Sequence, residues 1–252
     1  MTAALTIDAI GVAFSGIKAV DQVSMVIDQG ELRVLLGANG AGKTTLMDLI
    51  SGKTKSTEGR IYLYDDDITN QSEHRIARAG VGRKFQIPSV FRGLSVRRNL
   101  EVAGCRNPHV FANLRFALTP VTSARIDVVL QLIGLSEASE QIAGGLSHGE
   151  TQWLELGMLI VQDPKVLLLD EPTAGMTQDE THKTAEIIKG LRGQHTILVV
   201  EHDMSFVREI AERITVMHLG RVLAEGDIAA IEANQDVRRA YLGSRGITAG
   251  AA

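Results

Sequence analysis

Residues Gly37 to Thr45 read GANGAGKTT and fit the spacing G-x-x-x-x-G-K-[ST]. They lie between the apolar runs LRVLL and TTLMDLI, the strand–loop–helix setting that this spacing needs to bind phosphate. Gly37, Gly40 and Gly42, with Asn39, Ala41 and Thr45 around them, let backbone N–H groups crowd round a nucleotide's phosphates. The Lys43 ammonium would neutralise the outer two phosphates, the Thr44 hydroxyl would ligate Mg²⁺, and the following helix would point its positive end at the anion. A plain glycine-rich turn is the competing reading, and spacing and context together weigh against it.

A second chemical position follows at Asp170 and Glu171, where the apolar run VLLL breaks into an acidic pair. In an open α/β sheet, strand ends on the carboxyl edge converge on the ligand crevice. Asp170 is expected to hold Mg²⁺ through water, and Glu171 to orient and deprotonate the water that attacks the γ-phosphate. Solvated acids in an ordinary turn are the alternative. His202 ends TILVVE one residue beyond Glu201, where a neutral imidazole could meet the γ-phosphate and the attacking water, although a lone histidine at a strand end is usually structural. His74, His109, His182, His195 and His218 show no metal-ligand spacing and read as surface or packing residues.

These residues need a scaffold, and the chain supplies its pattern. AVDQVSMVID, ELRVLLG and GRIYLYDDD alternate apolar residues and turn signals like strands, and are read as a first sheet. SVRRNLEVAG, SARIDVVLQLIGL and Ser147 to Gln162 space apolar residues three and four apart, which predicts a helical insertion at about 93–162. KVLLLD and HTILVVE flank the helical TQDETHKTAEIIKGL, the grammar of a parallel βαβ unit. RITVMH and RVLAEG add two short strands before a polar tail from about 234 to 252, whose last small residues are expected to fray. The expected fold is α/β: one domain over 1–252 in which the two strand-rich parts share one core.

At 252 residues and 44% hydrophobic content the chain can fill that core. A net charge of −4 gives no broad basic field, so no nucleic-acid partner is expected. The single cysteine, Cys105, forms no internal disulfide, MTAALTIDAI lacks the features of a secretory signal, and no apolar run approaches membrane-spanning length. The chain is therefore expected on the cytoplasmic side, held at any membrane by other subunits.

Together with Phe85-Gln86 and LSHGE at Leu146 to Glu150, these motifs resemble the ATP-binding cassette (ABC) family in kind and order, over essentially the whole chain. The resemblance implies the phosphate-loop ATPase fold: a mixed sheet, a small antiparallel β subdomain and an inserted helical subdomain. It implies ATP and Mg²⁺ as cofactors. Phe14 would stack on adenine, with plain core as its competitor, and Val20 would neighbour the base. Gln86 would sense Mg²⁺ and the attacking water.

LSHGE matches the family's LSGGQ at Leu146, Ser147 and Gly149, so the resemblance places Ser147, Gly149 and Glu150 against ATP bound to an opposing subunit. Ser147 and Glu150 also form an S-x-x-E capping box, and the two roles are compatible. His148 departs from the usual glycine. TAGMT at Thr173 to Thr177 lacks the family's aspartate, and Thr177 with Glu180 reads as a further capping box.

Those departures and DVRRAYLG resemble the importers of branched-chain amino acids, amides and urea. SHGETQWLELGML, DEPTAGMT and VEHDMSFV are most similar to the urea branch, so urea is the expected cargo, with branched-chain amino acids or short amides as the alternative. The implied partners are a second ATPase subunit, sibling or identical, two membrane permease subunits, and indirectly a periplasmic or extracellular substrate-binding protein. Val90, Phe91 and Leu94 read as exposed apolar residues suited to a permease helix, against an equal reading as a packed loop. A soluble non-transport ABC ATPase would need tandem cassettes or a long coiled coil, a nucleotide sensor would not need Glu171, Gln86 and His202, and a GTP switch would need an N-K-x-D motif that is absent.

Overall fold

The computed structural model describes residues 2–84, 90–105 and 120–242. Strands β1 (Ala3–Phe14) and β2 (Ile17–Asp28) form an antiparallel hairpin through Ser15 and Gly16, both at positive φ. With β4 (Glu58–Leu63) and β5 (Asp66–Asp67) they make a small antiparallel sheet, ordered β2-β1-β4-β5. The larger sheet runs β10-β9-β3-β8-β7-β6. Its strands are β3 (Leu32–Gly37), β6 (Val81–Lys84), β7 (Val166–Asp170), β8 (Thr196–Glu201), β9 (Arg213–His218) and β10 (Arg221–Gly226). All neighbours are parallel except β9 and β10, so the sheet is mixed, as expected.

ELRVLLG does not pair with its sequence neighbours. β3 lies between β8 and β9 in the larger sheet, which divides the strands of the opening half between two sheets. Every residue of β3, β7 and β8 is buried, because helices or the small sheet cover both faces. Successive side chains point to opposite faces. Leu167, Leu169, Ile197 and Val199 therefore join one core, while Val166, Leu168, Leu198 and Val200 join another. The two strand-rich parts meet, but around two cores rather than the one expected.

The first core lies under helices α3 (Val96–Gly104), α4 (Pro120–Leu132) and α5 (His148–Ile160), which follow one another between β6 and β7, together with α6 (Gln178–Gly190) and α7 (Met204–Ile210). The second lies between the sheets, around α1 (Lys43–Ser51) with Ile76 of α2 (Glu73–Ala79). Two short helices, α8 (Ile228–Ala233) and α9 (Gln235–Val237), follow β10. The fraying expected of the last residues falls beyond the described ones. Among the described residues no helix is long and apolar enough to cross a membrane.

Candidate functional site

β3 delivers the chain to Gly37, where a Cβ would press 2.5 Å from the Met217 carbonyl of neighbouring β9. The loop then turns through Gly40 and Gly42, at φ +79 and +101, backbone that L side chains rarely adopt. A Cβ on Gly42 would also sit 2.5 Å from the Ala19 carbonyl. Gly42 caps α1 with no side-chain hydrogen bond, leaving the first-turn N–H groups for an anion. Ala38, Asn39, Gly40 and Thr44 are exposed, Thr45 half-buried and Ala41 buried. The Lys43 ammonium donates to the Gly37 and Ala38 carbonyls at 2.6 and 3.1 Å. Burial lowers its pKa, while Glu171 and Asp170 oppose that shift by favouring the charge.

Asp170 ends β7 almost fully buried, 3.6 Å from the guanidinium of Arg83. Desolvation pushes its carboxyl pKa up, and Arg83 pulls against it. Glu171 turns out of the strand at φ +46, pinned by its N–H to the Val200 carbonyl at 2.9 Å. Its Oε1 stands 3.3 Å from Nδ1 of His202, and both side chains reach solvent. A carboxylate beside an imidazole can hold a water and take its proton.

The donors fit Mg²⁺, because Thr44 and Asp170 offer hard oxygen ligands and Mg²⁺ is usually held by one or two carboxylates together with substrate phosphates. No cage of three or more acidic, histidine or cysteine ligands occurs among the described residues.

Glu201 was not singled out by motif. Its buried carboxylate accepts from the Thr173 hydroxyl at 2.7 Å and the His202 N–H at 3.1 Å, joining the two strand ends behind Glu171. Burial pushes its pKa up. The signal available was an acid inside an otherwise apolar strand, TILVVE.

At the hairpin tip Phe14 is 50% exposed, so it is not core. Val20 is fully buried in the core between the sheets and has no surface to offer a base; the expectation for it is corrected. Gln86 lies outside the described residues. Ser147 caps α5 in the expected box: its hydroxyl accepts from Glu150 N–H at 3.2 Å and Glu150 Oε2 accepts from Ser147 N–H at 2.8 Å. Thr177 and Glu180 form the same box on α6. The Glu180 carboxylate lies against Gly149, where a Cβ would press on it and make that flexible side chain shift. The buried imidazole of His195 packs against the Pro164 carbonyl at 2.7 Å, as its packing reading anticipated.

Residues 20–174 match the family described as ABC transporter. The high-affinity branched-chain amino acid transport ATP-binding protein LivG of Escherichia coli (strain K12) is 38% identical, over 95% of this chain and 97% of that protein. The corresponding protein BraF of Pseudomonas aeruginosa is 34% identical over the same shares. Among solved structures, the ADP conformation of MJ1267, an ATP-binding cassette of an ABC transporter, superposes with a TM-score of 0.83 at 28% identity, covering 96% of this chain and 99% of that one. With the family match, the identity to LivG and the shared fold all in agreement, the chain belongs to the ABC transporter family as one of its ATP-hydrolysing cassettes.

Proposed function

We propose that the chain energises import of branched-chain amino acids or a related small amide, as one of two cassettes that close head to tail on ATP. The observation that carries the catalytic part is the Glu171–His202 pair, 3.3 Å apart beside the phosphate loop. Lys43 and the loop N–H groups hold the triphosphate, and Phe14 offers an exposed ring to the base. Thr44, Asp170 and Gln86 would hold Mg²⁺, which balances phosphate charge when bound. Glu171 takes the proton of the attacking water, and His202 holds that water and the outer phosphate. Ser147, Gly149 and Glu150 present the start of α5 to the nucleotide on the partner cassette.

Phe91, Leu94 and Ile142 are exposed apolar residues on segments joined by the Ala143 N–H to the Leu94 carbonyl at 2.9 Å. They form a surface suited to a permease helix at the cytoplasmic face of the membrane. Val90, grouped with them in the sequence, is half-buried and packs on the first core.

The names of the relatives support branched-chain amino acids. Urea stays as a second reading on SHGETQWLELGML, DEPTAGMT and VEHDMSFV. The test is to purify the complex from its native source, identify the co-purifying membrane and binding subunits, and measure uptake of leucine and of urea after deleting this chain. Loss of leucine uptake alone supports the first reading. Loss of urea uptake alone replaces it with the second, and loss of neither overturns both importer readings.

A further inference from the structure

β6 ends in two successive cations, Arg83 and Lys84, whose side chains are nearly fully buried and leave the strand on opposite faces. Arg83 faces the nucleotide side. It donates to Ser51 at 2.8 Å and pairs with Asp48 at 2.6 Å, both on α1, and lies 3.6 Å from Asp170. Lys84 faces α5. Its ammonium makes a short hydrogen bond to Gln152 Oε1 and stands 3.8 Å from Glu155 Oε2, both on that helix and both buried. Lys84 is also in register with Leu169, the neighbour of Asp170.

A buried ammonium–carboxylate pair loses much of its attraction to desolvation, and apolar residues of similar size are often as stable. Such a pair fixes a relative position more than it adds stability. Gln152 lies five residues beyond Ser147, the cap of α5, which at about 1.5 Å per residue is only ~7.5 Å of stiff helix. A shift at Lys84 therefore reaches the signature serine almost undiminished.

We propose that Lys84 is a positioning residue: its buried contacts with Gln152 and Glu155 lock the start of α5 to the strand beside Asp170, so that Ser147 is held where the partner's nucleotide needs it. This rests on the head-to-tail reading above. Lys84 touches no nucleotide and acts through the helix. Misplacing a catalytic contact by about 1 Å costs up to ~10²-fold in rate, so loss of this lock is expected to cost at least about tenfold.

The test compares the intact wild-type chain with Lys84→Met, Lys84→Arg and the double variant Lys84→Met/Glu155→Met. Thermal unfolding, binding of a fluorescent ATP analogue and ATP turnover are measured on each. Lys84→Met should bind nucleotide within about twofold of wild type, since its own phosphate loop is untouched, yet turn over at least about tenfold more slowly. Lys84→Arg should recover part of the rate. The double variant should recover stability, because both members of the buried pair are replaced by apolar groups together, without recovering turnover. Return of turnover together with stability in the double variant would show a merely structural pair and overturn the proposal, as would an undiminished rate in Lys84→Met. If the head-to-tail reading itself fails, Ser147→Arg leaves wild-type turnover intact, whereas failure of the lock alone leaves Ser147→Arg inactive and Lys84→Met fully active.

Discussion

Replacing Glu171 with glutamine isolates the proton-accepting role, because the structure keeps everything else in place. The φ of +46 and the N–H bond to Val200 belong to the backbone and survive the change. Glutamine has the same length and can still reach His202, now 3.3 Å from the carboxylate. What disappears is one negative charge and one proton acceptor. A positioned general base contributes about 10²–10⁴ in rate, equal to about 2.7–5.4 kcal/mol at ~1.36 kcal/mol per tenfold. The lost charge is one that favours the ammonium of Lys43, so its removal leaves less repulsion for phosphate and ATP binding is kept or slightly strengthened. Phosphate release at saturating Mg-ATP should therefore collapse, nucleotide binding by fluorescence should persist, and light scattering should show an ATP-bridged dimer accumulating. Turnover above about a third of wild type would refute the base assignment, since a base worth even the lower ~10² leaves about 1%.

Ser147→Arg should leave ATP on the chain's own phosphate loop but abolish turnover by blocking closure, with about 1 kcal/mol of stability lost through the helix cap; unchanged hydrolysis at both sites would remove the signature assignment. Arg33 is fully buried and bonds Glu31, Thr215, Glu225 and the Val26 carbonyl, so Arg33→Met should cost about 3–5 kcal/mol in urea unfolding by stranding those partners, and a cost near zero would show that they re-solvate. Glu201, an acid with its pKa raised above 4.5 by burial, binds more protons folded than unfolded just above that pH, so its contribution to stability falls as pH rises through that window and stays lost above it. Unfolding from pH 4.5 upward should then show Glu201→Gln gaining on wild type; a constant difference would mean that its carboxylate is not strained by burial.

What the sequence exposed of this site depends on whether chemistry imposes local spacing. A loop that wraps phosphate is made by adjacent backbone N–H groups, so GANGAGKTT announces itself, and a helix cap is made within four residues, so both capping boxes were legible. Asp170 and Glu171 were legible because a buried strand must end before an acidic pair can face a ligand. Contacts made between elements leave no such trace. Val20 alternates like its strand neighbours, and only the packing of α1 shows that its face is sealed. Arg83 and Lys84 read as a basic step before Phe85, yet each is paired with side chains from a different helix. ELRVLLG carries the largely apolar run, broken only by Arg33, of a strand covered on both faces, which names its environment but not its neighbours β8 and β9.

The two departures from the family pattern illustrate the same limit, because they prove to be one feature. His148 and the TAGMT segment lie 26 residues apart, yet the His148 Nε2 stands 3.2 Å from the Ala174 carbonyl. Glu180, the partner of Thr177 in its capping box, lies against Gly149 beside that histidine. A glycine at 148 would leave the Ala174 carbonyl without this bond, and an aspartate at 177 would give the turn after Pro172 a charge in place of a hydroxyl cap. The histidine and the threonine instead join the start of α5 to the turn that follows Glu171 within a single chain.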